Sequence, residues 1–173
     1  PRVSGSYIAW SGADNSDSEI FLWDGTTGTT GTRTPVTNNS IDDRRVQIDG
    51  SNLVWEGIDP QSNTYEVYLY RAGPGGSATP LRLTQNTTDE KDPQISGNNV
   101  VWTGWDGANW QIYYRDIDTM APAANISNTM FLNDRPQVSG SNVVWHVLDV
   151  NNWEVYYSDL SKSNFIPVNV SGS

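Results

Sequence analysis

Apolar residues fall in short consecutive runs, with no helical spacing anywhere in the chain. Residues 7–10, 53–55, 100–102 and 143–145 are largely β-branched or aromatic, as in strands buried on both faces. A polar loop follows each run, and then a second apolar run at 19–23, 66–70, 111–114 and 154–157. A brief strand precedes each pair, at 2–4, 47–49, 94–96 and 137–139. It joins the pair through Gly5-Ser6, Gly50-Ser51, Gly97-Asn98 or Gly140-Ser141. Gly, Ser and Asn tolerate the positive φ of two-residue hairpin turns. A weaker fourth run closes each group, at 34–37, 80–84, 124–127 and 167–171. The pattern predicts an all-β chain.

The groups are copies of one unit. Residues 136–159, PQVSGSNVVWHVLDVNNWEVYYSD, repeat 93–116 almost position for position, and 46–71 and 1–24 are looser copies. Each has Gly five residues before a Trp: Gly5 and Trp10, Gly50 and Trp55, Gly97 and Trp102, Gly140 and Trp145. Each has Asp four residues after it: Asp14, Asp59, Asp106 and Asp149. Four short antiparallel strands in a repeat of about 40–50 residues are one blade of a β-propeller. The expectation is a single propeller domain over 1–173, with blades at about 1–43, 44–91, 92–134 and 135–173, each a four-stranded antiparallel sheet.

The pattern P-Q-[VI]-S-G-[SN]-N-V-V-W, then D-x-x-N-W-[EQ]-[VI]-Y-Y-x-D, then a terminal [VL]-T or N-[VI]-S, resembles the TolB-type propeller repeat. The resemblance covers the whole chain and implies four TolB-like blades. Repeats of this kind are common in periplasmic and in bacterial or archaeal cell-surface proteins, so a secreted, surface or periplasmic location is implied. It is weak for function, since the repeat serves assembly factors, adhesins and some enzymes.

Twenty Asp and Glu stand against ten Lys and Arg, a net charge of -10 that repels nucleic-acid phosphates. Eight Trp and eight Tyr are too many for a disordered acidic chain. Without Cys there is neither a disulfide framework nor a thiol nucleophile. No apolar run has the length to cross a bilayer. The first residue is Pro1 rather than Met, which suggests a processed product or part of a longer chain.

Candidate chemistry sits in the loops. Asp14, Asp17 and Glu19 offer three carboxylates in one tight loop, the oxygen-rich arrangement Ca²⁺ requires. Asp59, Asp106 and Asp149 head the equivalent loops, with amides at other positions, such as Asn63, Asn109, Asn152 and Gln111. The same residues suit turn capping, which the sequence favours. Asp42-Asp43, Asp89-Glu90 with Asp92, and Asp134 fall in the expected inter-blade linkers, beside Arg44, Arg45, Lys91 and Arg135. The repeat Trp residues read as core, whereas Trp105, Trp110 and Trp153 fall in or beside loops and are candidates to face a ligand. His146 is the single histidine and reads as incidental. Asn38, Asn86, Asn125 and Asn169 open N-x-[ST] sequons, one per repeat, which suit either a glycan or a turn.

These features predict a non-catalytic, extracellular or surface scaffold that self-associates as an oligomer or filament, with calcium as a candidate stabiliser. A carbohydrate-binding propeller and a polysaccharide- or peptide-processing enzyme are the alternatives.

Overall fold

The computed structural model describes residues 1–14, 17–77, 79–150 and 152–172, with Asp14 described through its backbone alone. All regular structure among them is β. The strands form four antiparallel sheets of four strands each, every sheet ordered as a meander. Contacts divide the chain into two compact units, Pro1–Thr87 and Thr88–Ser173, and each unit holds two blades.

The first unit contains β1 (Arg2–Ser4), β2 (Tyr7–Asp14), β3 (Asp17–Asp24) and β4 (Thr32–Pro35) as its first blade. Its second blade is β5 (Asp43–Asp49), β6 (Asn52–Asp59), β7 (Thr64–Arg71) and β8 (Leu81–Arg82). The second unit contains β9 (Glu90–Ser96), β10 (Asn99–Trp105), β11 (Trp110–Asp116) and β12 (Ala124–Asn125). Its other blade is β13 (Leu132–Ser139), β14 (Asn142–Leu148), β15 (Trp153–Asp159) and β16 (Val168–Asn169). The expected Gly turns join the first two strands of every blade. Gly5, Gly50, Gly97 and Gly140 take φ of 54° to 58°, a conformation that disfavours any side chain.

Within each unit one blade packs on the next through apolar sheet faces. Ala9, Ile20, Leu22 and Val36 of the first blade meet Val46, Leu53 and Trp55 of the second. In the other unit Val101, Ile112 and Ile126 meet Val143, Trp145 and Val147. Trp55, Trp102 and Trp145 are fully buried, as core residues should be. Each repeat Trp lies opposite an aromatic on the neighbouring strand: Trp10 and Phe21, Trp55 and Tyr68, Trp102 and Tyr113, Trp145 and Tyr156. Ring centroids are 5.6 to 6.3 Å apart, within stacking range.

Two features differ from the sequence reading. The first strands of blades two, three and four start at Asp43, Glu90 and Leu132, several residues earlier than expected. A β-bulge lets them continue, with Arg45, Asp92 and Arg135 at φ of 52° to 55°. Most of the acidic residues assigned to linkers therefore lie inside strands. The fourth strands of blades two to four are only two residues long. The chain leaves the ladder there because a side chain takes over from the backbone. The hydroxyls of Thr37, Thr84, Ser127 and Ser171 accept the N–H of Ile20, Val67, Ile112 and Val155 at 2.8 to 3.0 Å.

Thr84→Val deletes one such hydroxyl while keeping shape, and it leaves the buried N–H of Val67 without this acceptor. A loss of roughly 1–3 kcal/mol is expected by urea unfolding, with Thr84→Ser near wild type.

Candidate functional site

The blades carry a recurring polar latch. In the first unit Glu19, buried on β3, accepts the Asn39 N–H at 2.6 Å. Asn39 donates its side-chain amide to Asp43 Oδ2 at 2.8 Å, and the Trp55 indole donates to Asp43 Oδ1 at 2.7 Å. Hydrogen bonds thus run from the third strand of one blade to the core Trp of the next. The second unit repeats the arrangement with neutral groups. Gln111 donates to the Thr129 carbonyl at 2.6 Å and accepts the Thr129 N–H at 3.2 Å. Asn133 donates to Thr129 Oγ1 at 2.9 Å and accepts the Trp145 indole at 3.0 Å. Trp102 donates to Glu90 at 2.6 Å. A Cβ on Gly57 would lie 2.4 Å from Asp43, and one on Gly104 would lie 2.1 Å from Glu90, so both glycines make room for the acid.

Burial pushes Asp43 up to about 6, against lowering hydrogen bonds from Asn39, Trp55 and Thr37, and the Glu19 charge adds to the rise. Burial also raises Glu66, whose carboxylate accepts from Arg82 at 3.0 Å and from the Asn86 N–H at 3.2 Å.

The loop carboxylates cap turns. Asp106 accepts the N–H groups of Ala108 and Asn109 at 2.8 and 2.7 Å, which hold its pKa below the usual value. Asp59 accepts from the Ser62 hydroxyl at 2.8 Å and pairs with Arg82 at 3.0 Å, and its pKa is likewise lowered. Asp149 accepts the Asn152 N–H at 3.3 Å. Glu19 belongs to the latch, and Asp17 opens β3. The Asp14 side chain, with Asn15 and Ser16 of the same loop, lies outside the described residues. Among the described residues no three His, Asp or Glu side chains converge as a metal site.

Trp105 and Trp110 face each other across the β10–β11 hairpin, edge to face at 5.4 Å. The Lys91 ammonium covers the Trp110 ring at 4.1 Å and pairs with Asp134 at 3.5 Å. Both rings are half-buried in this cluster. Trp153 is 56% exposed and stands 6.0 Å from the His146 ring. With Asp134 and Arg135 they line a hollow of about 320 Å³. His146 is the residue the sequence reading passed over. Its one signal was its place after Trp145, where other copies carry Ser11, Glu56 and Thr103.

The sequons take part in the fourth-strand turns. Asn125 accepts the Asn128 N–H at 2.8 Å, and Asn169 accepts the Ser171 N–H at 3.0 Å. Asn38 and Asn86 are exposed, while Asn125 is half-buried.

No protein-family profile and no curated protein matches the sequence. Solved structures do match it. A protein assigned as TolB from Agrobacterium tumefaciens superposes with a TM-score of 0.68 at 20% identity, over 95% of this chain and 61% of that one. This is a TolB-like β-propeller fold. The β-propeller domain of the Trilobed protease from Pyrococcus furiosus gives 0.67 at 13% identity, over 94% of this chain and 50% of that one. A puromycin-hydrolyzing peptidase from Mycobacterium tuberculosis gives 0.71 at 12% identity, over 96% and 27%. The chain thus spans about three fifths of the TolB structure and smaller shares of the two proteases.

Two outcomes follow. Below pH 3.8 Asp43 is protonated whether the chain is folded or unfolded. As pH rises the unfolded acid ionises first, so stability falls until pH passes about 6, where the loss is complete. The loss is on the order of 3 kcal/mol. The pair Asn39→Thr with Asp43→Asn rebuilds the Thr129–Asn133 arrangement, and urea unfolding at pH 4 and 7 should show this component removed. For the loops, Asp106→Ala should cost about 0.5–1 kcal/mol and Asp106→Asn less, with melting unchanged by a chelator. A melting point that drops on chelation would instead support calcium.

Proposed function

We propose that this chain is a non-catalytic scaffold, working in the cell envelope or outside the cell, that self-associates as an oligomer or filament. The observation that carries this reading is the use made of the buried polar side chains. Glu19, Asp43, Glu90, Gln111 and Asn133 all bind backbone groups, the core Trp residues or other members of the latch. Their chemistry holds blades together. Exposed apolar side chains on the fourth blade, including Val144 and Val170, support association. The envelope or extracellular setting rests on the repeat resemblance.

One observation favours a second reading. An exposed Trp beside an Arg, an Asp and a His, around a hollow of about 320 Å³, suits stacking and hydrogen bonding to a sugar ring. On that reading the fourth blade would hold a carbohydrate subsite centred on Trp153.

Light scattering across protein concentration separates the two. The scaffold reading expects mass above the 19.1 kDa chain, rising with concentration. A particle that stays at one chain throughout, and that binds oligosaccharides in a Trp153-dependent way, would overturn it in favour of the second.

A further inference from the structure

In a chain of repeats, side chains that the fold requires recur from blade to blade, and insertions that break the pattern gather where ligands bind. The second blade breaks the pattern in two places that come together. Its stretch from Asp59 to Glu66, which carries the β6–β7 loop, is two residues longer than in the other blades. On β8, Arg82 lies opposite Tyr68, the register position that Pro35, Asn125 and Asn169 hold opposite Phe21, Tyr113 and Tyr156. The longer loop and the added cation border one hollow of about 370 Å³ within the first unit.

Arg82 is held at three points. Nη1 donates to Asp59 Oδ1 at 3.0 Å, Nη2 to Glu66 Oε1 at 3.0 Å and Nε to the Thr84 carbonyl at 2.7 Å. A guanidinium has five N–H donors, so these bonds leave one over on each Nη, and the side chain is 22% exposed. Asp59 takes the Ser62 N–H and hydroxyl on Oδ2, at 3.1 and 2.8 Å. Those bonds and the Arg82 charge hold its pKa below the usual value, so it acts only as an acceptor. Gln61 and residues 85–87, all exposed, complete the lining.

The fold does not need this arrangement. Glu154 is the fourth-blade counterpart of Glu66, and it bonds Asn169 at 3.4 Å in place of an arginine. The first blade buries Glu19 with Pro35 at the same register position. An arginine fixed by three bonds, with donors to spare, has already lost the rotamer freedom that binding would otherwise cost.

The chemistry of the lining selects the ligand. No aromatic or aliphatic side chain lines the hollow, which removes the usual basis for holding an apolar molecule. An anion is repelled by the two carboxylates that hold Arg82, and a cation by Arg82 itself. A neutral molecule dense in hydroxyls fits, because each hydroxyl both donates and accepts. It gives to Asp59, takes from Arg82, and does either with the side-chain amides. We propose that the hollow is a carbohydrate subsite of the second blade. In it Asp59 and Arg82 bind adjacent hydroxyls of a neutral sugar, and Gln61 and Gln85 bind further ones. The site is separate from Trp153 and goes beyond the scaffold reading, standing whether or not the chain self-associates.

The test titrates the full chain with cellotriose, maltotriose, mannotriose and chitotriose and follows its side-chain amide signals by NMR. At least one should bind with a Kd of about 1 mM or tighter and shift the amides of Gln61, Gln85 and Asn86. Arg82→Asn, which installs the residue of the third and fourth blades, should weaken that sugar at least about tenfold. Gln85→Ala, at an exposed position, should weaken it about threefold with an unchanged melting temperature. Should Arg82→Asn lower the melting temperature, Gln85→Ala and Gln61→Ala still decide the matter. Four sugars that leave every signal in place overturn the assignment. So does binding that Trp153→Ala abolishes and the hollow variants retain, which moves the sugar to the fourth blade. Neither result bears on self-association, so the scaffold reading is judged apart.

Discussion

A buried indole N–H must find an acceptor, and much of each blade follows from that requirement. Left without one, the N–H of Trp55, Trp102 or Trp145 would cost roughly 1–3 kcal/mol. The acceptor stands twelve residues earlier, at Asp43, Glu90 or Asn133. Bringing it alongside requires the first strand to run on past its apolar segment. The bulge does this, and it places Arg45, Asp92 and Arg135 at positive φ. Gly57 and Gly104 then clear the space beside the acid in two of the three blades. Trp, acceptor, bulge and glycine are one device.

The acceptor varies because two demands compete. A carboxylate makes strong hydrogen bonds to donors but loses its hydration when buried. At Asp43 burial wins, and the acid keeps its proton to about pH 6. Asn133 avoids the charge but brings an amide that needs acceptors of its own. It finds them in the carbonyls of Trp110 and Phe131 and in Thr129 Oγ1. The same logic separates Glu19 from Gln111, whose amide donates to the Thr129 carbonyl. The repeats agree on where a hydrogen bond is needed and differ in how the charge is handled.

The sheet order, the Gly turns and the burial of three of the four repeat Trp residues were legible in the sequence, because each rests on a residue type with few alternatives. Trp10 is only half-buried. The latch was not legible. Its acids lie twelve residues from the Trp they serve, and a bulge between them spoils any simple strand count. Asp134 drew notice as a charged residue, while its neighbour Asn133 makes the hydrogen bond to Trp145. The fourth strands looked longer because Thr37, Thr84, Ser127 and Ser171 continue the polar and apolar alternation. In the fold their hydroxyls do the work of a backbone carbonyl.

An array of repeats buries most of its apolar surface between neighbouring repeats. The fourth blade has partly changed its outward face and partly kept it. His146 stands where the second blade has Glu56 and the third has Thr103, both fully buried. Trp153 is half exposed beside it, and Arg135 extends into solvent. Val144, Val155 and Val170 nevertheless stay apolar at positions that the other blades bury. A pure ligand platform would not need the register of a blade contact. Retaining that register while altering its polar residues suits a face that packs against a blade.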